Sequence, residues 1–185
     1  CSVNRKMDPL EFGGIVAREI PASLLISQVM VLSPPEALEG RMQQMRDNGI
    51  TRVVFVGVSR NLDLHHPSSL SPSQALRRFR WLIPSRGVIL IPTREGEEER
   101  FREKLGASAT FAMTQLLFSD QVGHFLRNMS KYPHRPEIIL AFAYVPRREL
   151  KAGLLRWLIR DSSPVAQQES EAIARIAGLP FKEKK

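Results

Sequence analysis

Apolar residues recur along this chain in short runs of strand length, each followed by a stretch with helical spacing. Ser23-Leu-Leu-Ile-Ser-Gln-Val-Met-Val31, Arg52-Val-Val-Phe-Val-Gly-Val58, Gly87-Val-Ile-Leu-Ile-Pro92, Thr110-Phe-Ala-Met-Thr-Gln-Leu-Leu-Phe118 and Glu137-Ile-Ile-Leu-Ala-Phe-Ala-Tyr144 predict five strands, each apolar on both faces. A short helix is expected at Asp8 to Glu19. Ser33-Pro-Pro-Glu36 reads as a helix start, with Ser33 as N-cap and Glu36 in the capping-box place; Leu38, Met42 and Met45 form the stripe and Gly49 the stop. Ser71-Pro72-Ser73-Gln74 opens another helix with Leu76, Phe79 and Leu82 inward and Arg77, Arg78 and Arg80 outward. Further helices are expected from the Thr93 turn to about Leu105, from Ser119-Asp120 to about Lys131, around Leu150–Ile159 and around Ala166–Ala177.

Five strand-helix units joined by short connections make an α/β protein with a parallel sheet. An open doubly wound sheet and a (β/α) barrel both fit. Eight barrel units take about 250 residues, so length favours the open sheet. The glycine-rich fingerprints of nucleotide-binding open sheets, Gly-x-Gly-x-x-Gly and Gly-x-x-x-x-Gly-Lys-Ser/Thr, are missing from the sequence.

Composition narrows the class without naming a function. With 185 residues, 43% hydrophobic and 25% charged, the chain is no disordered tail, collagen-like fibre or coiled-coil rod. The lone cysteine, Cys1, cannot form an internal disulfide. No apolar run reaches the ~18 residues of a membrane helix, so the expectation is a cytoplasmic protein without membrane association. A chain opening on Cys1-Ser2 reads as a piece of a longer one, and the basic Asn4-Arg5-Lys6 argue against a lipid-modified terminus. The net charge of +8 favours anionic partners without choosing among them.

In either architecture chemistry belongs at the carboxyl ends of the strands. Candidates there are Gln28, Ser59 and Arg60, Thr93 to Glu97, Thr114 and Gln115, and Tyr144. Gln115 lies among apolar neighbours, where its amide must find partners or lose about 1–3 kcal/mol. An amide that both donates and accepts suits a planar heterocycle; tying neighbouring backbones together is the other reading. Gln28 has the same character. Thr93-Arg94-Glu95-Gly96-Glu97 sets a guanidinium and carboxylates at a strand-to-helix turn, where anions meet helix amides. Glu97, Glu98 and Glu99 would oppose a phosphate there, and they equally suit the helix dipole. Lys104, further along, could reach a phosphate or face solvent. His65-His66 lacks partners at metal-ligand spacing, and no metal is expected. Arg77, Arg78 and Arg80, with Lys182, Lys184 and Lys185, have no interleaved aromatic residues and read as solvated basic faces without nucleic-acid binding.

Thr110-Phe-Ala-Met-Thr-Gln-Leu-Leu-Phe-Ser-Asp120 resembles a barrel strand of the methylenetetrahydrofolate reductases. The preceding Phe101-Arg-Glu-Lys-Leu-Gly-Ala-Ser-Ala109 and Asn48-Gly-Ile-Thr-Arg-Val-Val-Phe-Val56 are also similar to segments of that family. The similarity runs from about Leu24 to Ile159, most specifically at 101–120. Val-Gly-Val-x-Arg and Ile-Pro-Thr-Arg-Glu-Gly-Glu are closer to a divergent branch in which FAD dependence is lost.

The resemblance implies a TIM-type (β/α) barrel, about five of eight units being present. Residues 1–22 would form an N-terminal extension, 23–178 the partial barrel and 179–185 a basic tail. It implies a cytoplasmic oxidoreductase of one-carbon folate metabolism. The hydride would pass from NAD(P)H, directly or through flavin, to 5,10-methylenetetrahydrofolate. Gln115 falls on the family's pterin-contacting glutamine, and the strand-end candidates Thr114 and Gln28 are taken with it as substrate-binding residues. Arg94, Glu97 and Lys104 become the cofactor residues. The family's Leu-Arg-Gly-Asp is here Val56-Gly-Val-Ser-Arg60, which removes an aspartate beneath pterin and flavin, and Ser23 stands near the place of a family histidine; both weaken the case for FAD. The expected catalytic acid, a glutamate on the first barrel strand, would lie outside this chain. Homo-oligomer formation stays open. The alternative is a non-catalytic, barrel-derived scaffold that binds an anionic partner through a basic face.

Overall fold

The computed structural model describes residues 9–21, 25–57, 68–116, 121–130 and 136–141. The elements alternate as α1 (Pro9–Glu19), β1 (Ser27–Met30), α2 (Pro35–Asp47), β2 (Arg52–Val56), α3 (Pro72–Arg78), β3 (Ser85–Leu90), α4 (Glu97–Gly106), β4 (Phe111–Leu116), α5 (Gln121–Met129) and β5 (Glu137–Ala141). The strands form one sheet in the order β1-β2-β3-β4-β5. β1 pairs with β2 in parallel, Val29 opposite Phe55, and β2 with β3, Val54 opposite Gly87. A doubly wound sheet reverses its strand order at a switch point; this order runs without reversal, which is consistent with a partial barrel. The helices expected around Leu150–Ile159 and Ala166–Ala177, the loop histidines and the basic tail lie outside the described residues.

The chain divides into two compact units, one of residues 1–89 and 102–112, the other of 90–101 and 113–185. In the first, Val53, Val54 and Phe55 of β2, Val88 of β3, Leu76 and Phe79 of the α3 region, and Leu38 and Met42 of α2 are buried. α3 packs on β2, and the Phe55 and Phe79 rings stand 5.8 Å apart. Gly87 gives the Phe111 ring room: a Cβ at residue 87 would lie 2.4 Å from two ring carbons. In the second unit Phe101 and Phe125 make an edge-on pair at 5.8 Å.

Several expectations need correction. The outer strands are half-covered: Gln28 is exposed and Met30 is 44% exposed beside buried Val29, while Glu137 and Leu140 of β5 face outward. An apolar run reports strand propensity; it cannot tell a central strand, covered twice, from one at the end of a sheet. Ser33 is not the cap of α2. Pro34 takes that place at φ −55°, ψ 150°, with no side-chain cap bond. A residue before proline is pushed out of the helical region, so Pro34, followed by Pro35, must stay outside the helix. That leaves Ser33 one position too early. The Ser71 box forms in full: Gln74 N–H donates to Ser71 Oγ at 3.2 Å, and Ser71 N–H to Gln74 Oε1 at 2.8 Å. α3 ends at Arg78, so Leu82 is only half-buried and Ile83 takes the core place.

Candidate functional site

A parallel sheet gathers the carboxyl ends of its strands on one side, so the turn after β3 and the outer half of β4 are where ligand-facing groups belong. Gly96, at φ +67°, lets the chain turn into α4, a conformation that side-chain-bearing residues rarely adopt. The turn presents Arg94 and Glu97 to each other. Glu97 is buried, and its carboxylate accepts from Arg94 Nε at 2.7 Å, from a second Arg94 nitrogen, and from the Ile91 amide at 3.3 Å. Burying a carboxylate is costly unless it is paired and hydrogen-bonded; here both conditions hold. The first of the three glutamates is therefore neutralised within the fold. The Arg94 side chain keeps 32% of its surface exposed.

β4 supplies the other candidates of this unit. Thr114 is buried, and its hydroxyl oxygen accepts the Ala141 amide of β5 at 2.8 Å. This ties the two strands and leaves the hydroxyl hydrogen available to a further acceptor. Gln115, next along, is half-buried. Alternation along a strand points neighbouring side chains to opposite faces, so Thr114 and Gln115 do not share one. Gln115 is not without a partner.

The remaining two candidates belong to the first unit. Lys104 of α4 is half-buried and donates from Nζ to the Ile89 carbonyl of β3 at 2.9 Å. Gln28 is exposed on β1 and also has a partner. Ser59, Arg60 and Tyr144 lie outside the described residues. No group of three or more His, Cys, Asp or Glu among the described residues could hold a metal ion. No helix there is long and apolar enough to cross a membrane.

Two residues were missed. Arg86 lies in β3, one residue before the strand start expected at Gly87. It is buried, and its guanidinium donates to the carbonyls of Arg80 (3.1 Å), Ile83 (2.6 Å), Pro84 (3.3 Å) and Ser108 (3.3 Å), while Nε has no partner among the described residues. Burial, with the charge of Arg80 second, holds its pKa below the usual arginine range. Trp81 is the other, 80% exposed with the Arg80 guanidinium 4.6 Å from its ring centroid. The arginine cluster therefore does carry aromatic residues, Phe79 buried between Arg78 and Arg80 and Trp81 exposed beside Arg80, and both adjacencies were visible in the sequence.

Strands alternating with helices in one sheet of unreversed order, with polar side chains after β3 and along β4, define an α/β protein consistent with a partial barrel. The chain belongs to the mycobacterial methylenetetrahydrofolate reductase family, whose family model matches residues 1–185. Membership points to an oxidoreductase of folate chemistry. A comparison with curated proteins found no match.

Proposed function

We propose that this protein reduces 5,10-methylenetetrahydrofolate to 5-methyltetrahydrofolate with a hydride from NAD(P)H, which leaves as NAD(P)+, and a proton from solvent that goes to N10 as its bond to the bridging carbon breaks. The family match along the whole chain carries the proposal; it gives no support to a non-catalytic scaffold. Gln115 would recognise the pterin, since a half-buried amide offers a donor and an acceptor to one heterocycle edge. Thr114 supports it by holding β4 to β5.

On this reading Arg94, held by Glu97, would meet a phosphate of the dinucleotide. Glu97 has its carboxylate occupied by Arg94 and the Ile91 amide, whereas Arg94 retains exposed surface for a phosphate. Glu97 is thus a positioning residue that fixes the Arg94 fork, and geometric fixing of a guanidinium is what phosphate recognition requires. The dinucleotide, when bound, supplies the hydride to the iminium carbon. The chain orients the folate, excludes water and keeps Arg94 in place. Calorimetric titration of the full chain with 5-methyltetrahydrofolate tests the reading. Binding is expected, with Gln115→Ala weakening it at least about tenfold, or about 1.4 kcal/mol. An intact, folded sample that does not bind contradicts it.

A further inference from the structure

Arg77, Arg78, Arg80 and Trp81 form an exposed group where the chain leaves α3 and approaches the amino end of β3, away from the strand ends used above. Among the described residues only Arg78 of this group has a carboxylate: it meets Glu39 at 3.1 Å. Among the described residues Arg77 and Arg80 meet none. The backbone here is also electrically unusual. The carbonyls of Arg80, Ile83 and Pro84, which would repel an anion, all accept from Arg86 instead. That guanidinium has four backbone partners and, among the described residues, no carboxylate, so its positive charge is not neutralised by an anion there.

Trp81 gives the patch its second property. Its ring is 80% exposed, and Arg80 lies over it at 4.6 Å. An indole left in water costs hydrophobic free energy, and one with a guanidinium against it offers a flat platform beside a cation. Acidic side chains have no π-face to use such a platform; nucleobases do.

We infer that Arg77, Arg80 and Trp81 form a contact site for single-stranded nucleic acid, with one base stacked on Trp81 and adjacent phosphates on the two arginines. The site is small, so binding is weak, tolerant of sequence and sensitive to salt. It is independent of the folate reading.

Fluorescence anisotropy of a dye-labelled, mixed-sequence single-stranded RNA oligomer, titrated with the full chain at low salt, tests the site. Two phosphate contacts predict a log-log salt slope of about −1.4. Trp81→Ala should weaken binding about fivefold to a hundredfold, while Trp81→Phe retains most of it. Paired charge reversal, Arg77→Glu with Arg80→Glu, should abolish it. Three results would overturn the inference: no binding at low salt, binding indifferent to all these substitutions, or a polyglutamate peptide that binds with the same dependence on Trp81. The last would mark an acidic-protein surface instead. Unchanged far-ultraviolet circular dichroism of the variants, expected for exposed side chains, separates loss of contact from loss of fold.

Discussion

Gly87→Ala is the sharpest structural perturbation the molecule offers. A methyl group there would stand 2.4, 2.4 and 2.7 Å from three carbons of the Phe111 ring. Carbon atoms settle at about 3.5–4.0 Å, so an overlap of roughly 1 Å must be relieved. The ring has little freedom to retreat: Phe111 is 1% exposed, and the Arg52 guanidinium sits 4.8 Å from its centroid. Strand separation is opposed as well. Thr110 N–H donates to the Arg86 carbonyl at 2.9 Å, and Arg86 N–H to Thr110 Oγ1 at 2.9 Å, right beside the clash. Overpacking of this kind costs about 1–3 kcal/mol. For a chain of this size each kcal/mol lowers Tm by about 2–4 °C, so the melt should fall by about 2–12 °C. Circular dichroism melts measure it. In a Phe111→Leu background the substitution should cost at least ~0.5 kcal/mol less, because the obstructing ring is gone. Equal cost in both backgrounds, or a raised Tm, refutes the packing argument.

Other perturbations follow from single contacts. Ser71→Ala removes one arm of the capping box and should lower stability by about 0.5–2 kcal/mol in urea unfolding; Ser33→Ala, which caps nothing, should stay within about 0.5 kcal/mol. Glu97→Ala strands the Ile91 amide and frees Arg94, at a cost of about 1–3 kcal/mol. If Glu97 positions Arg94 for a phosphate, the KM for NAD(P)H should also rise more than that for the folate. Thr114→Val deletes the acceptor of the Ala141 amide, so hydrogen exchange at that amide should accelerate while the exchange of β2 amides is unchanged.

The central sheet was legible because two covered faces force an uninterrupted apolar run: Val53, Val54, Phe55 and Val88 show it plainly. The stripe of Leu38, Met42 and Met45 was legible too, since helical spacing alone places them together. What a run of letters hides is context. Ser33 and Ser71 begin nearly the same spelling, and one further proline decides which of them caps. Val29 and Met30 are equally apolar, yet only the strand's place at the end of the sheet leaves Met30 in water. At the site, the Arg94 and Glu97 side chains could be read as two ligand contacts three residues apart. Their closure on each other follows from Gly96 turning the chain, a conformational fact that spacing does not report. Arg86 lay hidden because a strand-starting arginine normally faces solvent, and only the fold supplies four carbonyls around it.

The most direct test of the account is the initial rate of methylenetetrahydrofolate-dependent NAD(P)H oxidation, followed by loss of nicotinamide absorbance with the full chain. Folate-dependent oxidation is predicted, with kcat/KM reduced at least about tenfold in Gln115→Ala, equivalent to about 1.4 kcal/mol of lost transition-state binding, and little changed in Trp81→Ala. A folded protein that consumes NAD(P)H at the same rate with and without the folate, or a Gln115→Ala variant as active as the native chain, would contradict it.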